Sequence, residues 1–365
     1  MAKVEVDSLP VSVITGFLGS GKTTLLNRLI QHPGMDKTAV VINEFGEIGI
    51  DNMLVESVDD DVVLMSSGCL CCTIRGELVD TLKSLYTRRA KQEIPDFDRL
   101  VIETTGLADP APILHTLMAD PFLMGRYRLD GVITTVDAML AMDTMEKHME
   151  AVKQAAVADR IVISKTDLAD ADAIAALEGR LRGLNPAAGI HRAVKGEIDP
   201  ALLFNAGLYD PESKTLDVQR WLRTEAYDED AKRDETHGHR HEHGQGHDVN
   251  RHDARIQAYC VYLEEPLPWD QIASWLELLT TYRGDDILRI KGMLNVAESE
   301  TPVVVHGVQH MFHPPVQLDA WPDADHRSRI VFITRDLGRD IVENMLAALT
   351  QKKPAEFAAG PPLPP

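Results

Sequence analysis

The sequence predicts a doubly wound α/β domain with a mostly parallel sheet, followed by a smaller α+β domain. Three observations carry that prediction. Across the first 200 or so residues, short apolar runs rich in Val and Ile alternate with longer amphipathic stretches. Most of these runs are followed by a Gly, Asp or Lys loop and then a helical pattern, as parallel strands joined by crossover helices require. The chain's 365 residues exceed the usual size of one domain, and its character changes between Asp210 and Arg255.

In the first domain, residues 1–210, the expected strands are Val11–Thr15, Ala39–Asn43, Val62–Met65, Leu100–Glu103, Gly131–Val136, Arg160–Ser164 and Ile190–Val194. Residues 211–254 are dominated by charge and lack a hydrophobic face, which predicts a flexible linker. Within it Thr236–His252 carries His237, His239, His241, His243, His247 and His252. Their spacing fits no single helical face. A coil could gather them on a metal ion as a loose tether, and an incidental polar linker is the competing reading. Order resumes with a strand at Arg255–Leu263 and a helix at Trp269–Thr281, where Ile272, Trp275, Leu276 and Leu279 share one face. Strands at Ile287–Ile290, Val303–Val308 and Arg329–Thr334 and a helix near Ile341–Leu349 complete an α+β domain over 255–352. The tail 353–365, with Pro361, Pro362, Pro364 and Pro365, reads as unstructured.

Composition narrows the function. Apolar residues make up 44% of the chain, ample for two cores, yet no apolar run approaches the roughly 18 residues of a membrane span. The N-terminal MAKVEVDSLP lacks the features of a secretory signal, so a cytoplasmic protein is expected. With 37 basic and 57 acidic residues the formal charge is -20, which disfavours nucleic acid and anionic membranes and tolerates cationic ligands.

The strongest motif is Gly16-Phe-Leu-Gly19-Ser20-Gly21-Lys22-Thr23, placed between a strand and a helix. It fits the phosphate-binding loop of the P-loop NTPases. Its glycines let backbone N–H groups curl around phosphates, and the helix that follows offers its positive end. Gly16, Gly19, Ser20, Gly21, Lys22, Thr23 and Thr24 form the expected nucleotide set; Lys22 reaches the β/γ-phosphates and Thr23 helps hold Mg²⁺. A second element, Glu103-Thr-Thr-Gly106, ends an apolar strand, so that Glu103 can serve Mg²⁺ and the Gly106 N–H the γ-phosphate. Lys22 and Glu103 are the candidate catalytic groups. Leu107 stands where Ras-like proteins carry a Gln that orients the attacking water, which predicts slow intrinsic hydrolysis.

Ser164-Lys165-Thr166-Asp167 resembles the Asn-Lys-x-Asp element that reads guanine. Asp167 would accept from the guanine N1 and N2 hydrogens and the Lys165 stem would stack on the base, with Ser164 in place of the usual Asn. GTP is therefore favoured over ATP. Cys69, Cys71 and Cys72 crowd Ser67–Thr73, poor geometry for a disulfide and good geometry for Zn²⁺, Cu⁺ or Co²⁺ on a tight loop. Three thiolates leave one tetrahedral position open for ligand exchange. A redox pair or plain buried thiols are the alternatives. Cys260, alone on an expected strand, reads as core. In Asn43-Glu44-Phe45-Gly46-Glu47, Glu44 is a further candidate metal ligand, set against ordinary solvated acids.

Taken together these motifs resemble the CobW-type family of metallochaperone GTPases, P-loop proteins with a Cys-x-Cys-Cys motif and a CobW C-terminal domain. The resemblance rests on Gly16–Thr23, Asn43–Gly46, Gly68–Cys72, Glu103–Gly106, Ser164–Asp167 and the domain after the His-rich stretch. It implies Mg²⁺-dependent GTP hydrolysis coupled to handling of zinc or cobalt, with Cys69, Cys71 and Cys72 holding the metal destined for a client protein. The His-rich stretch leans toward zinc. A passive zinc store and a regulatory GTPase with structural cysteines are the alternatives.

Overall fold

The structure is a computed structural model that describes residues 8–43, 55–59, 62–65, 70–73, 78–204 and 255–350; for residues 43, 55–59, 62–65 and 70–73 it gives the backbone path alone. Glu44, Glu47, Cys69, the histidines of Thr236–His252 and the proline-rich tail lie outside the described residues. The chain divides into two compact units, Met1–Glu178 with Ala188–Asp210, and Gly179–Ala187 with Pro211–Pro365.

The first unit is built on a nine-stranded sheet of β1 (Leu9–Gly16), β2 (Thr38–Asn43), β3 (Val55–Asp59), β4 (Val62–Met65), β5 (Leu70–Thr73), β6 (Arg99–Thr104), β7 (Tyr127–Asp137), β8 (Arg160–Ser164) and β9 (Gly189–Arg192). Its order is β3-β4-β5-β2-β6-β1-β7-β8-β9, and every pairing from β5 to β9 along that path is parallel. β3 and β4 extend it as an antiparallel edge. Strands buried on both faces need near-continuous apolar sequence, and β1 and β8 are buried almost throughout. The parallel strands end at the same edge of the sheet, which is where open α/β folds place their ligands.

Helix α1 (Lys22–Leu29) follows β1 and buries Leu25, Leu26 and Leu29 against Ile14, Val40, Val101, Ile133 and Val162 of the sheet. Each such leucine contributes about 1.5–3 kcal/mol, so the helix that ends the Gly-rich loop is firmly anchored. Helices α2 (Leu78–Ala90), α3 (Ala111–Ala119), α4 (Pro121–Met124), α5 (Ala141–Lys147), α6 (Met149–Ala156) and α7 (Ala171–Leu184) supply the remaining crossovers.

The expected strands fall on β1, β2, β4, β6, β7, β8 and β9. β3 and β5 are additions, and β5 corrects one reading: Cys71 and Cys72 lie in a strand, where the spacing suggests a tight loop. The physical reason is pairing on both sides. Cys71 is registered with Val40 of β2 and Val63 of β4, and that ladder outweighs weak local strand propensity.

The second unit carries an antiparallel sheet of β10 (Ile256–Leu263), β11 (Ile287–Leu294), β12 (Val303–Val308), β13 (Met311–Phe312), β14 (Val316–Gln317) and β15 (Ser328–Arg335). Its order is β10-β15-β11-β12-β13, with β14 also on β12. Helices Trp269–Arg283 and Arg339–Thr350 cover one face, where Trp275, fully buried, packs with Ile272, Leu279, Phe332, Val342 and Leu346. Cys260 is buried in β10 as its isolation suggests, and loss of solvent pushes its thiol up to about 11. No helix among the described residues is long and apolar enough to cross a membrane.

Candidate functional site

The Gly16–Thr23 loop joins β1 to α1 at the ligand-binding edge of the sheet. Two of its glycines are required by geometry. Gly16 has φ +142°, and a Cβ there would lie 2.4 Å from the Thr135 carbonyl oxygen. Gly21 has φ +93° and caps α1 without a side-chain hydrogen bond. The first turn of α1 carries no acidic residue, so its N–H groups and positive dipole end are left for an anion. Lys22 is 6% exposed and folds back over the loop, its Nζ donating to the carbonyls of Gly16 at 3.0 Å and Phe17 at 3.3 Å. The ammonium is thereby held where phosphate oxygens would enter.

Glu103, at the end of β6, is 1% exposed, and Thr23 Oγ1 donates to its Oε1 at 2.7 Å. A buried carboxylate and a hydroxyl in contact form a hard-oxygen donor set, which fits Mg²⁺. When bound, that ion would neutralise phosphate charge. Gly106 follows Glu103 and packs against the loop itself: a Cβ on it would come 2.8 Å from the backbone N of Leu18. β1 and β6, neighbours in the sheet, thus bring the two phosphate-side motifs together.

Leu107 is 56% exposed and is flanked by carbonyls held from below. Gln154 of α6, wholly buried, donates through Nε2 to Gly106 O at 3.3 Å and Ala108 O at 3.0 Å. Sequence reasoning missed this residue, because a Gln in an amphipathic helix reads as surface.

On the base side, Ser164 closes β8, and its Oγ donates to the Ser20 carbonyl at 2.7 Å. This hydroxyl therefore ties the Ser164–Asp167 segment to the Gly16–Thr23 loop. The tie continues through buried hydroxyls. Ser20 Oγ lies 2.6 Å from Thr135 Oγ1, Thr135 Oγ1 donates to Thr15 O at 3.3 Å, and Thr104 Oγ1 donates to Thr15 Oγ1 at 2.9 Å. One chain of hydrogen bonds thus crosses from β8 through β7 and β1 to β6. Lys165 adopts φ +58° and Asp167 is exposed, open to a base.

Lys22, Thr23, Glu103, Gly106 and Ser164 are accordingly gathered around one loop. The transition-metal set is not gathered among the described residues: Cys69 and Glu44 lie outside them, and Cys71 and Cys72 are placed by backbone alone. Among the described residues no three His, Cys, Asp or Glu side chains cluster as metal ligands.

The family model for the CobW/HypB/UreG nucleotide-binding domain matches residues 10–192, and that for the cobalamin synthesis protein cobW C-terminal domain matches residues 256–350. The chain is 33% identical over 345 residues to the zinc chaperone YjiA of Escherichia coli, covering 94% of this chain and 99% of that protein. It is 31% identical over 372 residues to the zinc chaperone CobW of Pseudomonas aeruginosa, covering 93% and 90%. Among solved structures, Zn(II)-bound YjiA GTPase from E. coli is similar with a TM-score of 0.69 at 32% identity, covering 94% of this chain and 99% of that one.

Proposed function

The chain belongs to the CobW/HypB/UreG family of nucleotide-binding proteins, and we propose that it is a zinc chaperone that passes its metal to a client metalloprotein under control of GTP. The chain is a GTPase, working with GTP and Mg²⁺ at the loop around Lys22, Thr23 and Glu103. Cys69, Cys71 and Cys72 bind the metal, with zinc preferred to cobalt because the similar chains are zinc chaperones.

One observation carries the nucleotide control. Ile42 of β2 is registered with Thr73 of β5 on one side and Glu103 of β6 on the other. Strands lie about 4.8 Å apart, so the backbones of Thr73, at the end of the cysteine strand, and of Glu103 are about 10 Å apart across one shared strand. Order imposed at Glu103 by nucleotide passes to β2 and β5 through their ladders, and by linkage metal tightens GTP by the factor that GTP tightens metal. With Leu107 exposed and unable to orient water, hydrolysis is slow without a partner or metal.

The test is an anaerobic competition titration with zinc and with cobalt, in Mg²⁺ plus a non-hydrolysable GTP analogue and again in GDP. Tighter zinc binding in the GTP state, abolished by Cys71→Ser or Cys72→Ser, is expected. Equal affinity in the two nucleotide states overturns the coupling and leaves a passive store.

A further inference from the structure

Asp137 ends β7 as the cross-strand partner of Ser164. It is 7% exposed, yet belongs to none of the nucleotide motifs. Its Oδ1 accepts the Met139 N–H at 2.8 Å, which fixes the carboxylate on its own backbone turn. Its Oδ2 accepts from Lys165 Nζ at 2.6 Å. The Lys165 side chain is 37% exposed against 9% for that of Asp137, so the anion is the buried member of the pair and the lysine the one that reaches solvent.

A lysine free in solvent samples many rotamers, and fixing it on binding costs entropy. For the Lys165 stem to cover a base, its ammonium must be held beyond the base without competing for the phosphates. Asp137 provides that anchor, fixed from below by the Met139 amide before any ligand arrives. An Asn in its place would keep an acceptor oxygen and lose the charge that makes the bond strong.

We propose that Asp137 is a positioning residue for nucleotide recognition: it holds Lys165 extended across the site of the base, so that the lysine's ordering cost is met before the nucleotide binds. The proposal rests on the reading of Ser164–Asp167 as the base site. Asp137 acts only through Lys165; the guanine edge remains the task of Asp167. It follows that Asp137 governs the affinity for di- and triphosphate alike and leaves the hydrolysis step untouched.

The experiment is a double-mutant cycle of Asp137→Asn, Lys165→Met and the double variant, read by calorimetric titration with GDP, inosine diphosphate and a GTP analogue on the full-length protein. Asp137→Asn is expected to weaken GDP about tenfold, the equivalent of one lysine's ordering cost. Lys165→Met should weaken it at least as much, and the double variant no more than Lys165→Met. The guanine-over-inosine preference should survive in all three, and kcat at saturating GTP should stay within twofold for Asp137→Asn while KM rises. Loss of kcat, or independent additive losses in the double variant, would show a structural role and overturn the proposal. Unchanged affinity in Asp137→Asn with weakened binding in Lys165→Met overturns the anchor alone. Unchanged affinity in Lys165→Met overturns the base-site reading and the proposal with it, and that variant leaves Asp137 in place should Asp137→Asn fold poorly.

Discussion

Replacing Ser164 by Ala tests whether the hydroxyl at this position, where the guanine motif has Asn, organises the Gly16–Thr23 loop. The substitution deletes the bond to Ser20 O at 2.7 Å and a longer one to Val136 O at 3.3 Å. Ser164 is 7% exposed, so water has little access to replace it. A buried carbonyl left without its donor costs about 1–3 kcal/mol. The consequence for ligand binding follows from the planar trans peptide: the Ser20 C=O and the Gly21 N–H belong to one rigid unit and point in opposite directions. Holding the carbonyl toward β8 aims the N–H into the loop. Freeing it loosens that aim, and a loss near 1.4 kcal/mol corresponds to about tenfold in affinity. Calorimetric titration should therefore show GDP and GTP analogue weakened together by about three- to tenfold. Melting of the nucleotide-free protein should fall by about 2–4 °C for each kcal/mol lost in a domain of this size. Ser164→Asn, whose amide can donate to the same carbonyl, should recover most of the affinity. If Ser164→Ala melts earlier yet binds nucleotide as tightly as the parent, the tie supports the fold only and the reasoning fails.

Gly16→Ala should be far more damaging, since φ +142° and a 2.4 Å approach to the Thr135 carbonyl oxygen leave no room for a methyl group. A loss of several kcal/mol is expected, seen as a melting point lower by about 5 °C or more and no measurable nucleotide binding. His310 has acceptors on both ring nitrogens, Asp285 Oδ1 at 3.0 Å and Thr280 O at 2.9 Å, and the Asp285 bond raises its pKa above the usual value. Its folded pKa exceeds the unfolded value near 6.5, so this stabilisation is full below that pH and is lost as pH rises through the folded pKa. Melting curves at pH 6 and pH 9 should show a small effect, because the pair is exposed, and Asp285→Asn should abolish the difference due to it. Cys260, buried with its thiol pushed up to about 11, should resist iodoacetamide in the native protein at pH 8 and react once the chain is unfolded in denaturant; rapid native labelling would contradict its burial.

How much of the site could be read from sequence depended on whether its chemistry comes from one segment or several. The Gly16–Thr23 loop was legible because a cradle built from consecutive backbone N–H groups has to lie in one stretch of sequence, as Gly16, Gly19, Gly21, Lys22 and Thr23 do. Strands buried on both faces were legible for the same reason, their apolar runs being continuous. β5 was not, because Leu70–Thr73 owes its strand conformation to β2 and β4, and ladder pairing leaves little local trace. Asp137 and Gln154 were invisible because each makes its contact across strands or layers with a segment elsewhere, with Lys165 and with the carbonyls flanking Leu107. The same separation explains the departures from familiar motifs. Ser164 in place of Asn looks like a lost contact in one dimension; in three it makes a contact to the loop, through a hydroxyl short enough to sit beside Gly21, whose Cβ position is 3.5 Å from it. Glu103 in place of Asp looks like an oversized acid, yet its longer arm is what reaches the Thr23 hydroxyl from the end of β6. Substitutions inside a nucleotide motif are therefore best judged by the contact their side chain completes across the sheet, because the sheet, more than the motif, fixes where that contact must be made.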